Sequence, residues 1–168
     1  GDIWVSSQLG VGSTFELRIP YLPVSADEPC ETVGGGLDHE SAPLMGVSVL
    51  VAEDCEINKL VLEGLLLSVG ARVTVVGNGI EAVDRVVHDG RQAYDVVLMD
   101  LQMPVMDGYE AAGRLLSLAP DLPIIAQTAH AFAEDRLRCL AVGMVDHLSK
   151  PTDKRILVNA IRKALELK

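Results

Sequence analysis

The chain has 168 residues, 49% of them hydrophobic, and a formal net charge of −10. That leaves room for one ordinary domain with a buried core plus an appendage. The negative balance argues against nucleic acid or an anionic membrane surface as a direct partner. Cys30, Cys55 and Cys139 are too few and too scattered for a disulfide framework or a zinc site, and they read as reduced thiols of a cytoplasmic protein. No apolar run reaches bilayer-spanning length and no secretory signal opens the chain, which starts in mid-pattern at "GDIWV", as a piece cut from something longer would.

In chain order, residues 1–23 predict a β-hairpin: "DIWVSSQ" and "STFELRIP" are β-rich, and "LGVG" supplies the turn. Residues 24–45, with "SADEP", "GGG" and "DHESAP", carry no sustained period and read as a linker. From Gly46 onward the pattern changes. "VSVLVAED" is an apolar strand ending in two acids, and Ile57, Leu60, Val61 and Leu65 then recur at helical spacing up to a stop at Gly70. "RVTVVG" is a strand, "NGIEAVDRVV" a helix capped by Asn78, "YDVVLMD" a strand and "DGYEAAGRLLSL" a helix. "LPIIAQT", "AEDRLRCLAVG", "VDHL" and "DKRILVNAIRKALEL" continue the alternation, the last with Leu157, Ala160, Ile161, Ala164 and Leu165 on one face. The strands lack clean polar alternation, as parallel strands covered on both faces do. The expected fold of residues 46–168 is therefore α/β, a doubly wound five-stranded parallel sheet with helices on both faces.

Ligands of such sheets sit beyond the carboxyl ends of the strands. Glu53 and Asp54 end the first of these strands, Asp100 the third and Thr128 the fourth, while Lys150 follows the fifth. Each alone reads equally well as a cap, a turn residue or a solvated charge. Together they place three acids, a hydroxyl and an amine on one rim. Three close carboxylates repel unless a cation lies among them, and an all-oxygen set suits Mg²⁺. A lysine and a hydroxyl suit phosphoryl oxygens, and a carboxylate can itself be the nucleophile, forming an aspartyl phosphate.

The set "VLVAEDCEINK", "VVLMDLQMPVMDG", "IIAQTAH" and "HLSKP", in this order, resembles the response-regulator receiver domain of two-component phosphorelays. The resemblance implies the flavodoxin-like strand order 2-1-3-4-5, and it implies roles. Asp100 would accept the phosphoryl group from a phosphohistidine. Glu53, Asp54, Asp100 and the backbone carbonyl of Gln102 would hold Mg²⁺. Thr128 and Lys150 would serve catalysis and switching, and Gln102 and His130 would tune dephosphorylation. Pro104 and Gly108 would shape the loop after the acceptor. His147 stands where the family has a rotating Tyr or Phe. Cys55 occupies a frequent Asn position and reads as a tolerated small residue rather than a redox group. The hairpin resembles the closing strands of a histidine-kinase ATP-binding domain, without the rest of a nucleotide pocket. That order of segments implies a parent hybrid sensor histidine kinase, anchored by upstream segments in the inner membrane. The implied partners are a histidine kinase or histidine phosphotransfer protein. Self-association through the hairpin or the output face is a further expectation.

Two other classes stay open on the residues. A haloacid-dehalogenase-like phosphatase also uses an Asp after a strand, but needs a second acid where Gln102 stands. A phosphorylation-independent pseudo-receiver would bind partners without the full acid, Thr128 and Lys150 set. His39 in "HESAPL" is one residue short of a kinase phosphoacceptor box, and His88 reads as a helix-end residue.

Overall fold

The structure, a computed structural model, describes residues 1–20, 42–129 and 133–166. The expected linker up to residue 41, Cys30, His39 and His130 lie outside the described residues. By its internal contacts the chain divides into two units, Gly1–Asp38 and His39–Lys168.

In the first unit, β1 (Asp2–Gln8) pairs antiparallel with β2 (Gly12–Arg18). The register sets Ile3 opposite Leu17 and Val5 opposite Phe15, so these four share one face of the ribbon, and all four are exposed. On the other face the Arg18 guanidinium lies 5.1 Å from the centroid of the Trp4 ring.

The second unit alternates β3 (Ser48–Ala52), α1 (Glu56–Leu67), β4 (Arg72–Val76), α2 (Gly79–Asp89), β5 (Val96–Asp100), α3 (Gly108–Leu118), β6 (Ile124–Thr128), α4 (Ala133–Val142), β7 (Asp146–Ser149) and α5 (Lys154–Leu165). The five strands pair parallel in the order β4-β3-β5-β6-β7, the order the family resemblance implies. Two apolar cores cover the sheet. Leu50, Val97, Met99 and Ile124 project into one with Ala111, Leu115 and Cys139, and Val49, Val51, Leu98 and Ile125 into the other with Leu66, Leu157 and Ile161. Every residue of β5 and of β6 is buried. Burying a side chain of the Leu or Ile type contributes about 1.5–3 kcal/mol, so these two strands anchor the unit.

Helix ends are set by side chains. Asn78 accepts from the Glu81 N–H at 3.0 Å, Asp107 from Glu110 at 2.8 Å and Asp153 from Arg155 at 2.8 Å. The face of α5 is as the spacing predicts, with Leu157, Ala160, Ile161 and Ala164 buried. The face of α1 is not. Ile57, Leu60 and Val61 are exposed, while Leu62 and Leu66 meet the core. Apolar residues surround this helix, so spacing alone did not select the inward stripe.

Candidate functional site: an acidic rim closed by one lysine

Asp100 is the last residue of β5, and Glu53 and Asp54 directly follow β3, the neighbouring strand. Parallel pairing in register brings the two strand ends side by side. Ligand oxygens of Glu53, Asp54 and Asp100 all lie within 4.8 Å of one another. Glu53 and Asp100 are buried, and Asp54 is exposed.

Lys150 reaches this cluster from beyond β7. Its backbone N–H donates to the Thr128 carbonyl at 2.8 Å. Its ammonium donates to Glu53 Oε2 at 2.5 Å and to Asp100 Oδ2 at 2.7 Å. The other Glu53 oxygen accepts from the Cys55 N–H at 3.2 Å and the Asn58 side-chain amide at 3.0 Å. Asp100 Oδ1 accepts from the Gln102 N–H at 3.2 Å.

Burial is the largest influence on both charged partners, with opposite results. It lifts the Asp100 carboxyl above its ordinary range, because the bonds from Lys150 and Gln102 do not make up for lost water and for Glu53 nearby. On Lys150 burial works against the charge, but Asp100 and Glu53 together outweigh it and raise the ammonium above its ordinary value. The Lys150 ammonium is shared between Glu53 and Asp100, and Lys59, which acts on Asp54, is itself paired with Glu56 at 2.7 Å, so the cluster keeps a negative balance. The donor set, all oxygen and with Asp54 open to solvent, fits a hard divalent cation.

The loop after Asp100 is held close by its glycine. A Cβ on Gly108 would lie 2.1 Å from the Asp100 carbonyl oxygen, so only glycine permits this return. The Gly108 N–H donates to Leu101 O at 3.1 Å. Thr128 ends β6 and is buried opposite Ser149, on the strand beside Asp100. It lines a recess of about 270 Å³ together with Gln102, Tyr109, Asp135 and Arg138, whose guanidinium sits 4.0 Å from the Tyr109 centroid.

The structure thus brings together Glu53, Asp54, Asp100 and Lys150, and sets Thr128 and Gln102 on the same rim. His147 lies on β7 opposite Ala126, half-buried, with Nδ1 buried and without a hydrogen-bond partner. Cys55 is exposed at the start of α1, and His88 is exposed in the last turn of α2. Sequence reading missed Asn58, which ties Glu53 to α1, and Gln127, a buried amide in an otherwise apolar strand. Asn58 follows the acids by one helical turn, a signal that spacing carries. Gln127 shows only as a polar interruption in "IIAQT".

The family model of the response regulator receiver domain matches residues 49–162. The chain belongs to this family, the receiver domains of two-component systems. It is 37% identical over 166 residues to the aerobic respiration control sensor protein ArcB of Escherichia coli, a match covering 97% of the chain. It is 34% identical over 166 residues to hybrid signal transduction histidine kinase K of Dictyostelium discoideum, covering 94% of the chain. The chain spans about a fifth or less of these relatives, 20% of ArcB and 13% of the Dictyostelium kinase. Among solved structures, the receiver domain of a sensor histidine kinase from Pseudomonas aeruginosa PAO1 is 40% identical with a TM-score of 0.65. The match covers 72% of this chain and 98% of that one, which holds a magnesium ion coordinated in its active-site cleft. Vibrio cholerae chemotaxis protein CheY4 superposes with a TM-score of 0.65 at 26% identity, covering 71% of this chain and 98% of that one. Among the described residues no helix is long and apolar enough to cross a membrane.

Proposed function

We propose that Asp100 is the phosphoacceptor of a phosphorelay. In this reading a carboxylate oxygen of Asp100 attacks the phosphorus of a phosphohistidine, the N–P bond breaks, and the imidazole leaves with the electron pair. Glu53, Asp54, Asp100 and the backbone carbonyl of Gln102 hold Mg²⁺. Once bound, that ion offsets the charge of the acids and of the phosphoryl oxygens. Lys150 supplies a point charge to a phosphoryl oxygen, and the Thr128 hydroxyl a hydrogen bond. His147 and α5 then carry the change outward, and Gln102 and His130 set how long it lasts. The convergence of three carboxylates within 4.8 Å around one lysine is the observation that carries the reading.

The donor is a histidine kinase or histidine phosphotransfer protein. Its docking is supported by α1, which begins two residues after Asp54 and exposes Ile57, Leu60 and Val61. Changing Leu60 to Asp should slow transfer from such a donor while leaving labelling by acetyl phosphate intact. Equal loss with both donors would place the defect in the site and remove α1 from the reading.

A further inference from the structure

Gln127 is 1% exposed, and neither Nε2 nor Oε1 of its carboxamide has a hydrogen-bond partner. Leaving a buried amide unpaired is costly, and the great majority of such groups are satisfied. The register says where this one lies. Gln127 pairs with Asp100 on one side and Leu148 on the other. Directly paired residues project to the same face of a sheet, so the amide shares its face with Asp100. Lys150 follows β7, and its ammonium contacts Asp100 at the end of β5 and Glu53 beyond β3. The strand between β7 and β5 is β6. The Lys150 side chain therefore crosses the end of β6, where the Lys150 backbone N–H donates to the Thr128 carbonyl, one residue beyond Gln127.

Two bonds hold Lys150 here, and both go to oxygens of the acid cluster. A divalent cation drawn to those carboxylates competes for the same oxygens and repels the ammonium. The ammonium has three donors and must find other acceptors as it retreats toward β7. We propose that Gln127 is a positioning residue for Lys150, whose carboxamide oxygen accepts the ammonium when a cation occupies Glu53, Asp54 and Asp100. The inference rests on the reading of the acid cluster as a cation site. It gives the buried amide a partner when a cation is bound, and keeps Lys150 near the phosphoryl position.

The test is a double-mutant cycle with Mg²⁺ alone as probe, followed by NMR titration of the 168-residue chain. Four proteins are compared: wild type, Gln127→Leu, Lys150→Met and the double variant. Losing a hydrogen bond to a charged group should weaken Mg²⁺ binding about tenfold in Gln127→Leu. With Lys150→Met already present, adding Gln127→Leu should change nothing. A purely structural amide would act alike in both backgrounds, so equal weakening overturns the proposal, as does unchanged affinity in Gln127→Leu. Failure of the underlying reading looks different: the wild type would show no saturable Mg²⁺ binding, or Asp54→Ala would bind as well as wild type, and the proposal would fall with it.

Discussion

The two edges of the five-stranded sheet carry similar residues and treat them differently. At the amino edge the Ser48 N–H donates to Asp95 Oδ2 at 2.9 Å, and the Asp95 N–H returns to Ser48 O at 2.8 Å. Tyr94 donates to Asp89 at 2.5 Å, and Arg85 pairs with Asp89 at 2.9 Å. Asp89, Asp95 and Arg85 there each have a partner, and the guanidinium side is exposed. At the carboxyl edge Glu53 and Asp100 are buried and share one ammonium, Asp54 lies within reach of both, and the Gln127 carboxamide is left without a hydrogen bond. Balanced charge at a wet edge is structure. At the carboxyl edge the acids outnumber the cation that contacts them, an imbalance that a bound cation would relieve.

The largest expected effect follows from removing the cation that Glu53 and Asp100 share. Lys150→Ala leaves Glu53 and Asp100 without their shared partner, and breaking a buried pair this way costs about 3–5 kcal/mol. Chemical denaturation without metal should show that loss, and added Mg²⁺ should recover part of it. A variant as stable as wild type would mean the carboxyl edge is no more demanding than the amino edge.

Asp100→Asn should do the reverse and stabilise the metal-free protein, by about 1 kcal/mol near neutrality. The sign follows from the raised carboxyl, whose ordinary value is 3.8. With the folded value above the unfolded one, the penalty is absent where both states are protonated. It sets in as pH rises through that interval and stays in full above it. The advantage of the Asn variant should thus be present at pH 7 and vanish as pH falls below about 4. An advantage that grows on acidification would contradict the assignment.

At the amino edge the effects should be smaller and blind to metal. Tyr94→Phe removes the bond to Asp89 and should cost about 1 kcal/mol, the same with and without Mg²⁺. Arg85→Ala should leave the denaturation midpoint unchanged, because its ion pair is open to solvent. A Mg²⁺-dependent shift in either variant would show the two edges to be coupled.

Strand positions were legible because "VVLMD" and "PIIAQT" are apolar runs too short for helices, closed by turn residues. The rim was legible because parallel strands put their carboxyl ends on one edge, so Glu53, Asp54, Asp100, Thr128 and Lys150 could be collected before any coordinates. Lateral order came only with the family resemblance. What stayed hidden depends on register and facing. Nothing local says that Leu62 rather than Val61 turns inward on a helix apolar nearly all round. Nothing local says that Gln127 lies beside Asp100, since that follows from the pairing of β5 with β6. His147 departs from the family pattern in the sequence itself, while the burial of its Nδ1, 3.9 Å from Asp146 and without a hydrogen bond, is visible only in the fold.

The central claim is that Asp100 takes a phosphoryl group and needs a divalent cation to do so. Incubating the chain with acetyl phosphate and Mg²⁺, then mapping the modified residue by mass spectrometry, tests it most directly. One phosphoryl group is expected on Asp100, lost with chelator and lost in Asp100→Ala. Labelling that persists in Asp100→Ala, or that ignores the chelator, would contradict it.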